Sequence, residues 1–220
     1  MAKRTVSVTG TGTASAAPDV VRVDLRIGHD AADVAAALTG ASRGIAAVGS
    51  VVRASGVADA DIRTLDASVG QRYDQTGSPV GFTAQQRLRV TVRRLDAVGD
   101  ILAAAAGAVG NALLVDQVVL DVSDRSSGLK DARDAAFADA RGKAEQYAGL
   151  SAARLGSVLT VSEGGATPFP GSRGMAFAAR EMAAAMPVEG GDLDITVAVT
   201  VTWELQPAEA PREPAAQPRE

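Results

Sequence analysis

Three arginines, Arg87, Arg89 and Arg93, occupy odd-numbered positions along one stretch, with Arg94 beside the last. In extended backbone such positions project to one face. The three guanidiniums there could bind phosphate, RNA or an acidic partner, but read first as a solvated face or an ion-pairing subunit interface. Gly40-Ala41-Ser42-Arg43-Gly44 matches the G-x-S-x-G pattern of serine hydrolases. That chemistry needs its serine on a sharp strand-to-helix turn, whereas the surrounding periodicity places Ser42 inside a helix. Ser127-Gly128-Leu129-Lys130 matches S-x-x-K without an accompanying S-D-N or K-T-G element, so Ser127 reads as a helix cap, a role open also to Asp124 and Ser126. His29 is the sole histidine, and a triad or histidine metal site would rest on it alone. Asp59 with Asp61, and Asp192 with Asp194, offer oxygens to a calcium ion but lack EF-hand spacing. Gly10-Thr11-Gly12 opens like a dinucleotide fingerprint, yet Ser15 stands at the third glycine position and no helix follows. No residue is therefore nominated as catalytic, cofactor-binding or metal-binding. The expectation is a protein that is not an enzyme and needs no cofactor.

Composition narrows the classes further. The absence of cysteine removes disulfides, thiolate zinc sites, iron–sulfur clusters and a thiol nucleophile. A formal net charge of -4 argues against a general nucleic-acid binder, and aromatics at 3% leave no stacking platform for single strands. Nucleic acid is not an expected partner. The longest apolar run, residues 101–109, is too short to cross a bilayer, so no transmembrane segment is expected. MAKRTVSVTG has basic residues but no apolar stretch or cleavage site after them. The sequence as written reads as cytoplasmic, or as an envelope protein if a leader was removed.

The elements that position these residues begin with an alternating strand over 5–14. The Pro18-Asp19 break follows, then a second strand over 20–27 with Val21, Val23, Leu25 and Ile27 on its apolar face. The two read as an antiparallel pair. From Asp30, the candidate N-cap, Val34, Leu38, Ala41, Ile45, Val48 and Val52 trace a helical stripe that Gly56 stops. Residues 61–73 and 81–93 read as strands around a Gly77-Ser78-Pro79 turn. Residues 95–106 read as a shorter helix and 113–122 as a fifth strand. The order strand, strand, helix thus occurs twice, which suggests a duplicated ββα unit.

The strongest signal is residues 129–150, where Ala132, Ala136, Ala140, Ala144 and Ala148 recur every fourth position beside Leu129, Phe137, Tyr147 and Leu150. Short side chains let a helix axis approach a sheet closely. Asp139 with Lys143, and Arg141 with Glu145, stand at ion-pairing distance on the expected solvent side. A sixth strand over 156–162 precedes an irregular arm, residues 163–191, bearing Met175, Phe177, Met182 and Met186 as candidate contacts to another subunit. A last strand over 192–205 buries Val197, Val199, Val201 and Trp203. Residues 206–220 form a proline-rich tail expected to be disordered.

Taken together, VSVTGTGTASAAPDVVRVDLRIG, GVADADIRTLDASVGQRYD, GFTAQQRLRVTVRRLDAVGDILAAAAGAVGN, ARDAAFADARGKAEQYA, LGSVLTVSE and ITVAVTVTWEL resemble the SIMPL-domain family, also called DUF541. The likeness covers roughly residues 5 to 205 and treats 1–205 as one domain. Pro18-Asp19, Asp61-Ile62-Arg63-Thr64, Ala132-Arg133 and Ala140-Arg141-Gly142-Lys143-Ala144 carry most of it. The resemblance implies an α+β fold in bacterial envelope proteins that tend to form homo-oligomers and are linked to oxidative-stress defence or surface antigens. A eukaryotic member is an adaptor in kinase signalling. It carries over no catalytic residue. The expected architecture is an antiparallel sheet system packed by three helices on one side. The expected function is a homo-oligomeric scaffold or stress-protective protein. The alternative is a protein-binding adaptor using the Arg87/Arg89/Arg93 face, and a hydrolase is more remote. Arg133, Arg141 and Lys143, off the alanine stripe, join those residues as candidate interface positions.

Overall fold

A computed structural model describes residues 4–164 and 191–207. Seven strands and three helices among them form an α+β fold with two antiparallel sheets: β1 (Thr5–Ala16), β2 (Val20–Ala31), α1 (Val34–Ala54), β3 (Ile62–Tyr73), β4 (Pro79–Val92), α2 (Val98–Val109), β5 (Leu113–Asp121), α3 (Ser126–Leu150), β6 (Ala153–Glu163) and β7 (Leu193–Pro207). The chain divides into two compact units. One contains the four-stranded sheet β3-β4-β2-β5 with α1 and α2, and the other the three-stranded sheet β1-β7-β6 with α3. Met175, Phe177, Met182 and Met186 lie outside the described residues, as do residues 208–220 of the tail.

The expected pairing of the first two strands is corrected, since β1 and β2 lie in different sheets. Proline has no N–H and fixed φ, so Pro18 ends the ladder. Beyond it the apolar face of β2 is buried in a separate core. The order ββαββα is present, but only the second ββα keeps both strands in its own sheet.

In the four-stranded unit, Val21, Val23, Leu25 and Ile27 of β2 join Leu88, Val90 and Val92 of β4 beneath Val48 and Val52 of α1 and Ile101 and Leu102 of α2. The alternation read in the sequence thus selects the buried face. Asp33, not Asp30, caps α1 by accepting a hydrogen bond from the Ala36 N–H at 2.8 Å. Asp30 remains in β2 and accepts from the Thr83 hydroxyl at 2.6 Å. The buried stripe of α1 starts at Ala37, leaving Val34 and Leu38 exposed. By length and composition α1 is apolar enough to cross a membrane, whereas the sequence expectation weighed only residues 101–109. Its buried side here packs against the sheet.

In the three-stranded unit, Ala132, Ala136, Ala140 and Ala144 pack on Val197, Val199, Val201 and Trp203, with Phe137 tilted against the indole. Tyr147 and Leu150, expected to flank this stripe inward, are exposed. Arg125 stands at the N-cap without a side-chain cap bond, so Ser127 is not the cap; Asp124 accepts instead from the Ser126 N–H at 2.9 Å. The alanines explain half of the close approach, and Gly10 and Gly12 explain the rest. A methyl on Gly10 would lie 2.7 Å from Ala140 Cβ and also overlap the α3 backbone, and one on Gly12 would lie 2.8 Å from Ala135 Cβ. The Gly-Thr-Gly sequence is a helix-docking groove in a strand.

Candidate functional site

The face of the four-stranded sheet turned away from the helices carries the alternating arginines. β4 is central in this sheet, so Arg87, Arg89 and Arg93 meet neighbours on either side. Arg89 donates from Nε and Nη2 to the two carboxylate oxygens of Asp24 on β2, both at 2.7 Å. Asp24 is 7% exposed, and this is the most enclosed ion pair of the face. Arg93 likewise grips Asp61, just before β3, with two 2.9 Å bonds, and Arg87 donates from Nε to Asp66 at 2.8 Å. Hydrogen bonding to these aspartates, reinforced by their charge, holds all three guanidiniums above the usual arginine pKa. On β2, Arg26 pairs with Asp116 and Arg22 with Asp121. The free basic face pictured from the sequence is thus largely neutralised within the chain. The matching aspartates lie on other strands, and their partners were not readable from spacing.

Two shallow cavities open on this face. One, of about 370 Å³, is bounded by Arg26, Asp66, Gln85, Arg87 and Asp116, a closed set of ion pairs. The second, of about 210 Å³, includes Arg22, Asp61, Arg63, Arg89, Thr91, Arg93 and Ser123. Beside it, Asp19 accepts from both the hydroxyl and the N–H of Ser123, and these bonds hold its carboxyl below the ordinary range. Arg63 belongs to the Asp61-Ile62-Arg63-Thr64 segment; its place directly opposite Arg89 is a matter of register that spacing does not encode.

The candidates on α3 are also placed. Arg133 donates from Nε to Glu163 of β6 at 2.9 Å and from Nη2 at 3.1 Å, raising its own pKa and lowering that of Glu163. Arg141 pairs with Glu145 along the helix at 2.8 Å. Lys143 does more than bind Asp139 at 2.6 Å: its Nζ also donates to the Thr9 carbonyl, while Asp139 accepts from the Thr11 N–H at 2.8 Å. The pair expected to face solvent instead satisfies backbone groups of the edge strand β1. The Lys143 hydrogen bond is the first cause, and the Thr11 N–H the second, of a lowered Asp139 pKa.

The remaining motifs disperse. Ser42 is exposed in mid-helix. His29 lies at the end of β2 with its ring against Gly40, where any Cβ would collide with it. Lys130 pairs with Asp134 at 3.2 Å. Asp59 pairs with Arg53, and Asp194 accepts from the Ser15 hydroxyl at 2.8 Å. Among the described residues no three histidine or acidic side chains converge as metal ligands.

Comparison with known proteins adds a family and two relatives. The model of the SIMPL family, described as a protein of unknown function (DUF541), matches residues 6–203. The 26 kDa periplasmic immunogenic proteins of Brucella melitensis biotype 1 and of Brucella abortus strain S19 are each 26% identical over 217 residues. Each match covers 91% of this chain and 84% of the relative.

Proposed function

The chain belongs to the SIMPL family, and from that membership we propose a non-enzymatic, self-associating scaffold of the bacterial envelope with a stress-protective role. The observation that carries self-association is the β6 edge. Sheet edges expose unpaired N–H and C=O groups that pair with other chains unless they are covered, charged or bent away. Asp139 and Lys143 cover β1. Arg63, Asp66 and Arg72 stud β3, and a register shift beside Asp116 interrupts β5. From Leu155 to Ser162 β6 carries neither charge nor proline, and Val158, Leu159 and Val161 are exposed. Register shifts bend it without adding a repelling group.

An envelope location is supported by the printed names of the two relatives. The stress-protective part rests on the family likeness; a chain without cysteine would exert it through assembly rather than thiol chemistry. Light scattering on the purified chain tests the reading. The wild type is expected to be oligomeric at micromolar concentration and Leu159→Lys to give a smaller species with an unchanged circular dichroism spectrum. A monomeric wild type overturns it. The adaptor alternative loses ground because Arg87, Arg89 and Arg93 already hold carboxylates of their own chain.

A further inference from the structure

Six arginines on the open face of the four-stranded sheet each have an aspartate: Arg22 with Asp121, Arg26 with Asp116, Arg72 with Asp30, Arg87 with Asp66, Arg89 with Asp24 and Arg93 with Asp61. Arg63 is the seventh, and among the described residues it has no carboxylate partner. Register makes this notable. Arg87 faces Arg26 across β4 and β2, and each of that like-charged pair has its own aspartate. Arg63 faces Arg89 across β3 and β4 in the same way, but Asp24 serves only Arg89. Like charges directly opposite one another disfavour a sheet unless an anion lies between them.

The cavity of about 210 Å³ lies at this point. Arg89 and Arg93 commit Nε and Nη2 to their aspartates, leaving Nη1 of each as a further donor. Arg63, whose guanidinium no carboxylate engages, and Thr91, which carries a hydroxyl, line the same cavity. Arg22 stays with its own aspartate, its enclosed Nε lying 2.7 Å from Asp121 Oδ2. Asp61 lines the cavity and Asp19 is bonded to its lining residue Ser123, but the oxygens of Asp61 already accept from Arg93 and those of Asp19 from Ser123. Donors from three guanidiniums and a hydroxyl exceed what a planar carboxylate accepts and suit a tetrahedral oxyanion.

We propose that this cavity binds a single phosphate group, free or on a small phosphomonoester, with Arg63 as the principal contact. The assignment is independent of assembly through β6. Calorimetric titration of the full chain at low ionic strength, with inorganic phosphate in one arm and glycerol phosphate in the other, tests it. Saturable binding in the region of about 1 mM is expected. Arg63→Gln is expected to weaken it about tenfold or more, whereas Arg43→Gln, the same charge change on the exposed side of α1, leaves it unaltered. Tighter binding in the glycerol phosphate arm identifies the ester as the source, and equal binding identifies the free anion. Absence of saturation in both arms, or equal weakening by the two variants, overturns the assignment. Loss of a facing like charge predicts that Arg63→Gln melts no lower than wild type, and that melting midpoint separates lost binding from unfolding.

Discussion

Replacing Gly10 by alanine sets one methyl group against the close approach of α3 to β1. The added Cβ would stand 2.7 Å from Ala140 Cβ and overlap the Ala136 carbonyl and the Ala140 N–H. Carbon atoms rest at about 3.5–4.0 Å, so α3 must withdraw by about 1 Å. The obstacle is helix backbone, which cannot rotate away as a side chain would. A retreat of that size forfeits about a quarter to a half of each dispersion contact along the alanine stripe. Overpacking in cores costs about 1–3 kcal/mol, and rigidity places this case near 3 kcal/mol. The assay is urea denaturation followed by Trp203, the sole tryptophan and 3% exposed, which reports the α3 unit alone. With a urea slope of about 1–3 kcal/mol/M the midpoint should fall by about 1–3 M. Gly142→Ala, on the exposed side of the same helix with no atom near the added methyl, should instead gain about 0.5–1 kcal/mol. A Gly10→Ala midpoint within about 0.3 M of wild type refutes the close-approach argument.

Other perturbations follow from the ion pairs. Asp24→Asn leaves Arg89 beside Arg63 without its carboxylate. With the Arg89 side chain 31% exposed, the loss is discounted to about 2–3 kcal/mol, visible as a lower thermal midpoint by circular dichroism; an unchanged midpoint counts against the enclosed pair. Asp139 and Glu163 have folded pKa values below their unfolded ones. Their stabilisation is therefore complete above about pH 4–5 and is lost as pH falls through the depressed folded values. The Trp203-monitored midpoint should decline on acidification, and Asp139→Asn with Glu163→Gln should flatten that decline; an equal slope in the double variant disproves the linkage.

Much of the fold was legible because it depends on local periodicity. Alternation fixed the buried faces of β2, β4 and β7, and the four-residue alanine repeat fixed the inward side of α3. These patterns need only the geometry of one element. Strand partnership was not legible. Val6 and Val8 look alike whether β1 pairs with β2 or, as found, lies beside β7, where Thr9 meets Thr200 and Thr13 meets Thr196. Nothing within a strand states which core it joins, because that depends on burial shared with residues far along the chain.

The candidate site divides along the same line. By itself the sequence determined that Arg87, Arg89 and Arg93 share a sheet face, since side chains alternate with period two. Only the tertiary structure decided that each meets an aspartate, that Arg63 faces Arg89 without one, and that Lys143 covers a strand edge. An ion pair is a property of distance between two side chains. Asp24 and Arg89 are brought together by strand register, which spacing along a single element does not encode.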